Sequence, residues 1–230
     1  MNKLLRNIII VGMLIIEAVF CCALAESKVK FAYDTDFLLY FDNREYSSTP
    51  GQTSQTIFGV RLAPEIGIQF GDTTEFKHKL MAGVAYNQPF GASWGAVTVK
   101  PTVYYRIEAK GFDVNLGLVP YRSLKEPLPE YLLSDSISYY NANIQGALFQ
   151  YESEKGYASL LADWRGMYSK EIREAFRVIG TGAYRYKWLQ VGGYAMLNHL
   201  ANSTETNCVY DDIMINPYVS FNLDYLIKPI

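Results

Sequence analysis

Along residues 58–70, FGVRLAPEIGIQF, every even position is apolar or ring-bearing: Phe58, Val60, Leu62, Pro64, Ile66, Ile68 and Phe70. The odd positions, Gly59, Arg61, Ala63, Glu65, Gly67 and Gln69, are small or polar. A period of two places these sets on opposite faces of a β-strand. Strands of soluble sandwiches run to about 5–6 residues, whereas this one has thirteen. At about 3.3 Å per residue and a tilt near 45°, that length covers about 28 Å of membrane normal. It matches the ~25 Å apolar band of a transmembrane barrel, with an aromatic residue near each interface.

The same test predicts strands over 29–41, 79–87, 97–108, 112–118, 157–165, 176–186, 189–198 and 212–225. Residues 97–108 and 212–225 alternate most cleanly, while a further strand over 137–151 rests on spacing alone. The long connections are 45–54, 88–94, 121–136, 166–174 and 201–211, and the brief ones are 71–76, 109–111, 152–156 and the point around Lys187. Outer-membrane barrels sort their connections this way, with short periplasmic turns and long external loops. Pro64, Pro101 and Pro217 fall inside the best strands, where each removes a ladder hydrogen bond, so bulges, kinks or strand ends are expected there. The predicted fold is an all-β, antiparallel up-and-down transmembrane β-barrel of about ten strands over 26–230. Because the chain closes on Leu226-Ile227-Lys228-Pro229-Ile230 rather than on an aromatic residue, a ten-stranded barrel and a piece of a larger one both stay open. The main alternative is a lipocalin-like soluble barrel.

Upstream of the strands, Lys3 and Arg6 precede an apolar run over 8–24 and the small-residue pattern Ala23-Leu24-Ala25. This layout predicts a secretory signal peptide over 1–25, cleaved after Ala25. Glu17 interrupts the run, which weakens the competing reading as an uncleaved anchor. Phe20 stands where a lipidation signal before Cys21 and Cys22 would need a small residue. After residue 25 no window is apolar enough for a membrane helix, so a membrane-embedded chain must be a closed barrel.

Without the leader the chain has 19 Lys and Arg against 22 Asp and Glu. That balance gives no footing for nucleic acid. Cys208 is then the only cysteine, which excludes a disulfide framework and a thiolate metal site. No zinc, phosphate-loop or calcium-loop spacing occurs, so neither a metal nor a cofactor is expected. Nineteen tyrosines suit a body with many sites that are apolar at one end and wet at the other. An aromatic girdle is expected from Phe58, Phe70, Tyr86, Tyr105, Phe112, Trp164 and Tyr225.

Leader, long amphipathic strands, girdles and sorted connections together resemble the porin-like outer-membrane β-barrel proteins of Gram-negative bacteria. The resemblance is one of pattern and carries over no functional residue. It implies the cell outer membrane as location, membrane lipid as partner, and passive transport of small polar or anionic solutes rather than enzyme activity. A small non-conducting structural or surface-binding barrel is the second reading, and a barrel-embedded hydrolase the third.

The inward register collects Asp34, Asp36, Arg61, Glu65, Lys79, Lys100, Arg106, Asp113, Asp163, Arg165, Arg177 and Arg185. These charges either neutralise one another in a filled interior or line a lumen for a small anion. Ten strands favour the filled interior. Asp34 and Asp36 sketch a carboxylate pair but are expected to pair with arginines. Both histidines, His78 and His199, fall on the outward register, which argues against a lumenal His-based hydrolase. The connection 121–136, with Arg122, Lys125, Glu126, Glu130 and Tyr131, is long enough to fold over the mouth or to meet a partner.

Overall fold

The computed structural model describes residues 28–47, 50, 53–72, 76–203, 205 and 207–223. The expected leader and Tyr225 lie outside these residues. Ten strands follow in order: β1 (Lys30–Arg44), β2 (Gln55–Asp72), β3 (Phe76–Pro89), β4 (Thr98–Ala109), β5 (Phe112–Pro120), β6 (Asn143–Ser153), β7 (Gly156–Gly166), β8 (Ala175–Tyr186), β9 (Leu189–Leu200) and β10 (Tyr210–Phe221). They form one antiparallel sheet in which each strand pairs with its sequence neighbours. Among the described residues no ladder joins β1 to β10, yet Ala32 of β1 and Met214 of β10 border the same interior cluster.

The alternation read along the chain fixes which face is which. Phe37, Ile66 and Ile215 are 67%, 60% and 73% exposed on the outer face, whereas Glu65, Asp113 and Asp163 are each 1% exposed on the inner one. An apolar exterior around a charged interior is the inverse of a water-soluble body, and it removes the lipocalin-like alternative. Among the described residues no helix is long and apolar enough to cross a membrane.

The prolines sit where a missing N–H costs little. Pro217 is on the terminal strand β10, and Pro101 lies beyond the end of the β4–β5 ladder, which begins at Val103. At Pro64 the β2–β3 pairing lapses between Leu62 and Glu65 and resumes in the same register. None of the three prolines therefore carries a bulge, and among the described residues the one shift of register falls at Trp164 and Gly166.

The strand expected over 137–151 begins only at Asn143. Its first part belongs to the connection 121–142, which contains short helical turns at Tyr121–Ser123, Glu130–Leu132 and Ser136–Tyr140. This connection enters the interior. Lys125 and Glu126 reach Glu152 and Arg185, next to the brief turns, at 3.4 and 3.3 Å. The chain then returns, so that Asp135 meets Arg44 at 2.8 Å and Tyr139 meets Asp42 at 2.8 Å, at the end of the long connections. Leu128 and Leu132 pack with Met81, Val119, Ile144, Leu148, Leu161 and Ile179. The sheet thus encloses a plug made from its own connection.

Candidate functional site

On the inner face, the sequence leaves like charges directly opposite one another, an arrangement that is unfavourable by itself. Asp34 faces Glu65 across β1–β2, and Lys79 faces Arg106 across β3–β4. Arg122 of the plug bridges the first pair, 2.6 Å from Glu65 and 3.2 Å from Asp34. Burial works against the Arg122 charge, but Glu65 and Asp34 more than offset it and hold the guanidinium above its ordinary range. Glu108 bridges the second pair, at 3.7 and 2.7 Å, and Arg106 also binds Asp113 at 2.6 Å.

Asp36 pairs with Arg61 at 3.3 Å, Asp163 with Arg165 and Arg177 at 2.5 and 3.4 Å, and Arg185 with Glu126 at 3.3 Å. Lys100 is exposed and makes no ion pair among the described residues. The sequence places Arg122 and Glu126 in a connection able to fold over the mouth but does not assign them to the interior or to Glu65 and Arg185, and it does not single out Tyr121, because a connection has no alternation from which to assign a face. Their polarity amid Leu124, Leu128 and Leu132 was the available signal.

On the outer face, Phe58 packs edge-on against Phe41 and Phe90, Phe112 packs on Tyr151, and Tyr86 bonds Gln88. Phe70 is not presented to lipid: it is 1% exposed and stacks on His78, whose Nδ1 lies 2.6 Å from the Tyr105 hydroxyl. Trp164 stacks on Phe176 at 5.0 Å, and Phe176 stacks on the His199 ring at 4.7 Å. This row crosses β7, β8 and β9 at the end carrying the long connections.

Asp211 pairs with His199 across β9–β10 and completes the row, with Oδ1 2.6 Å from Nδ1. A carboxylate on Nδ1 fixes the ring and leaves Nε2 to accept a proton. Among the described residues nothing hydrogen-bonds Nε2. Arg173 secures the hairpin beside the pair by donating to the carbonyls of Leu200, Ala201 and Cys208.

Further along the same face a hollow of about 280 Å³ opens between Gly180 and Gly182 of β8, Gly193 and Ala195 of β9, and Ile215 and Pro217 of β10. On β9, Ala195 and Gly193 are four and six residues from His199, about 13–20 Å along the strand. A Cβ at Gly180 would meet only Leu160 Cδ1, at 3.9 Å, so the fold does not itself demand glycine there.

The model of a family described as lipid A 3'-O-deacylase-type matches residues 24–201. The chain belongs to the lipid A 3'-O-deacylase-type family. The match includes His199, while Asp211 lies beyond it. No curated protein and no solved structure matches the chain.

A deacylase-type family is named for an enzyme activity, which overturns two expectations: passive porin-like transport and a chain that is not an enzyme. The second reading, a non-conducting structural barrel, has no support either. The structure supplies the physical reason for the first correction, since the interior holds the 121–142 segment. Discounting His199 for its outward register rested on the premise that a hydrolase works in the lumen. An enzyme whose substrate is a membrane lipid meets that substrate on the outer wall, where the outward register is the required one. A β-barrel-type sheet in a lipid A-acting family points to the outer membrane, with lipid as partner.

Proposed function

We propose that the protein hydrolyses an ester-linked acyl chain of a lipid A-type glycolipid, with His199 as general base and Asp211 as its orienting partner. The observation that carries this reading is the 2.6 Å His199–Asp211 contact on the lipid-facing wall of a member of a deacylase-type family. His199 Nε2 takes a proton from water as the water oxygen attacks the ester carbonyl. The acyl carbon–oxygen bond breaks, the proton passes to the leaving alkoxide, and the products are a fatty acid and a sugar hydroxyl. The pair lies where the strands meet the long connections, which suits an ester at the boundary between headgroup and hydrocarbon. The chain being cleaved runs from there toward the hollow at Gly180, Gly182 and Gly193.

In this reading residues 1–25 are a cleaved leader, the long connections face outward, and the substrate lies in the outer leaflet of the outer membrane. Ser203 is a poor nucleophile candidate because its Oγ accepts a hydrogen bond from the Glu205 amide at 3.2 Å within a buried loop position. Thr204 and Thr206 lie outside the described residues. The test is mass spectrometry of lipid A incubated with the purified, folded protein in detergent. The expected product is lighter by one acyl chain, and unchanged lipid A would refute the proposal.

A further inference from the structure

The Asp163 side chain is fully buried and faces two guanidiniums, Arg165 at 2.5 Å and Arg177 at 3.4 Å. The Tyr121 hydroxyl donates to Asp163 at 2.6 Å and accepts from both arginines. Burial and the Asp163 charge hold that phenol above its ordinary pKa, so it adds no negative charge. Among the described residues no second carboxylate is within ion-pairing distance of Arg165 or Arg177. Arg177 is buried and also donates to the Leu132 carbonyl, and the half-buried Arg165 also donates to the Asn141 carbonyl. These two cations therefore share one fully buried anion, and unbalanced charge is costly away from water. The opposite wall has the reverse imbalance, with Arg122 between Asp34 and Glu65.

Both guanidiniums line a cavity of about 540 Å³ between the plug and β7–β9, near the long connections. Its other walls include Leu132, Leu133, Ile137 and Met196, with the amide of Asn198 beside them. Apart from Asp163, which faces Arg177 directly across β7–β8, the next acidic residue in the ladder is Asp212, which is exposed and is separated from Arg177 by Asn198. We propose that this cavity binds a small organic carboxylate bearing a short apolar tail. The carboxylate supplies the missing anion through paired N–H contacts from a guanidinium, and the leucine, isoleucine and methionine side chains cover the tail. This site lies inside the sheet and is independent of the His199 chemistry on the outer wall.

The test is isothermal titration calorimetry of the full protein in neutral detergent at low salt, with hexanoate as the probe. Saturable 1:1 binding is expected, weaker for acetate, and reduced at least about tenfold in Arg165→Gln, which removes one charge-assisted contact. That variant leaves Asp163 paired with Arg177 and Tyr121, so the fold should survive. Asn198→Asp, which adds a negative charge at the wall, should weaken hexanoate binding as well. Arg185→Gln, at the other end of the interior, should not. Absence of saturable hexanoate binding, equal affinity in Arg165→Gln and Asn198→Asp, or an equal loss in Arg185→Gln would overturn the assignment.

Discussion

Asp211 Oδ1 lies 2.6 Å from His199 Nδ1 on the wall of the sheet that meets lipid, and the His199 ring is held from its other side by Phe176 at 4.7 Å. Strand pairing and ring stacking together hold the imidazole against that carboxylate. Asp211→Asn keeps the shape but not the charge that supports an imidazolium. Deacylation by this variant should fall by about two to four orders of magnitude, with the folded yield unchanged. A rate within a factor of about three of wild type would show that Asp211 is not the orienting group.

Ser203→Ala separates water from a serine as the attacking oxygen. With water as nucleophile, the variant should retain activity within about threefold of wild type. Abolished activity in a folded variant would transfer the nucleophile to Ser203.

Gly180→Leu places a side chain in the outer hollow without a backbone clash, since its Cβ meets only Leu160 Cδ1, at 3.9 Å. The expected effect is a raised KM for long acyl chains with short-chain esters little affected. Equal effects on both chain lengths would separate the hollow from the acyl chain.

Arg122→Ala leaves Asp34 and the buried Glu65 facing each other across β1–β2 without their bridge. Removing one partner of a buried ion pair costs about 3–5 kcal/mol, and the lower end applies because Asp34 is exposed. Thermal unfolding should register a lower midpoint. A midpoint equal to wild type would mean that water already screens Glu65.

The plug predicts electrical behaviour too. In planar bilayers the intact protein should give no discrete conductance steps, while shortening 124–134 should produce them, because Leu128 and Leu132 leave the interior. Steps in the intact protein would contradict a filled interior.

Long strands such as 58–70 and 97–108 were legible because lipid on one side and charge on the other impose a strict period of two. The observed β2 keeps that alternation from Ile57 to Ile66 and β4 from Pro101 to Tyr104, while Phe70 turns out buried and Lys100 exposed. The plug was not legible as a plug: residues 137–142 are apolar and aromatic enough to pass for a strand by spacing, and the burial of Leu132 and Ile137 depends on chain entering from elsewhere. The inner charges could be found one by one, but Arg122 could not be assigned to Glu65 without knowing that 121–142 turns inward. His199 is visible in the sequence, but its outward register marks it as catalytic only for a substrate that lies outside the lumen. Its partner Asp211 is twelve residues on, across a connection whose pairing a single sequence does not reveal.

The most direct measurement compares wild type with His199→Gln, both purified and folded, for fatty acid released from lipid A in mixed micelles. Wild type should release one acyl chain per lipid and His199→Gln essentially none, with equal thermal midpoints. Equal release by the two proteins would contradict a catalytic base at His199 on the outer wall.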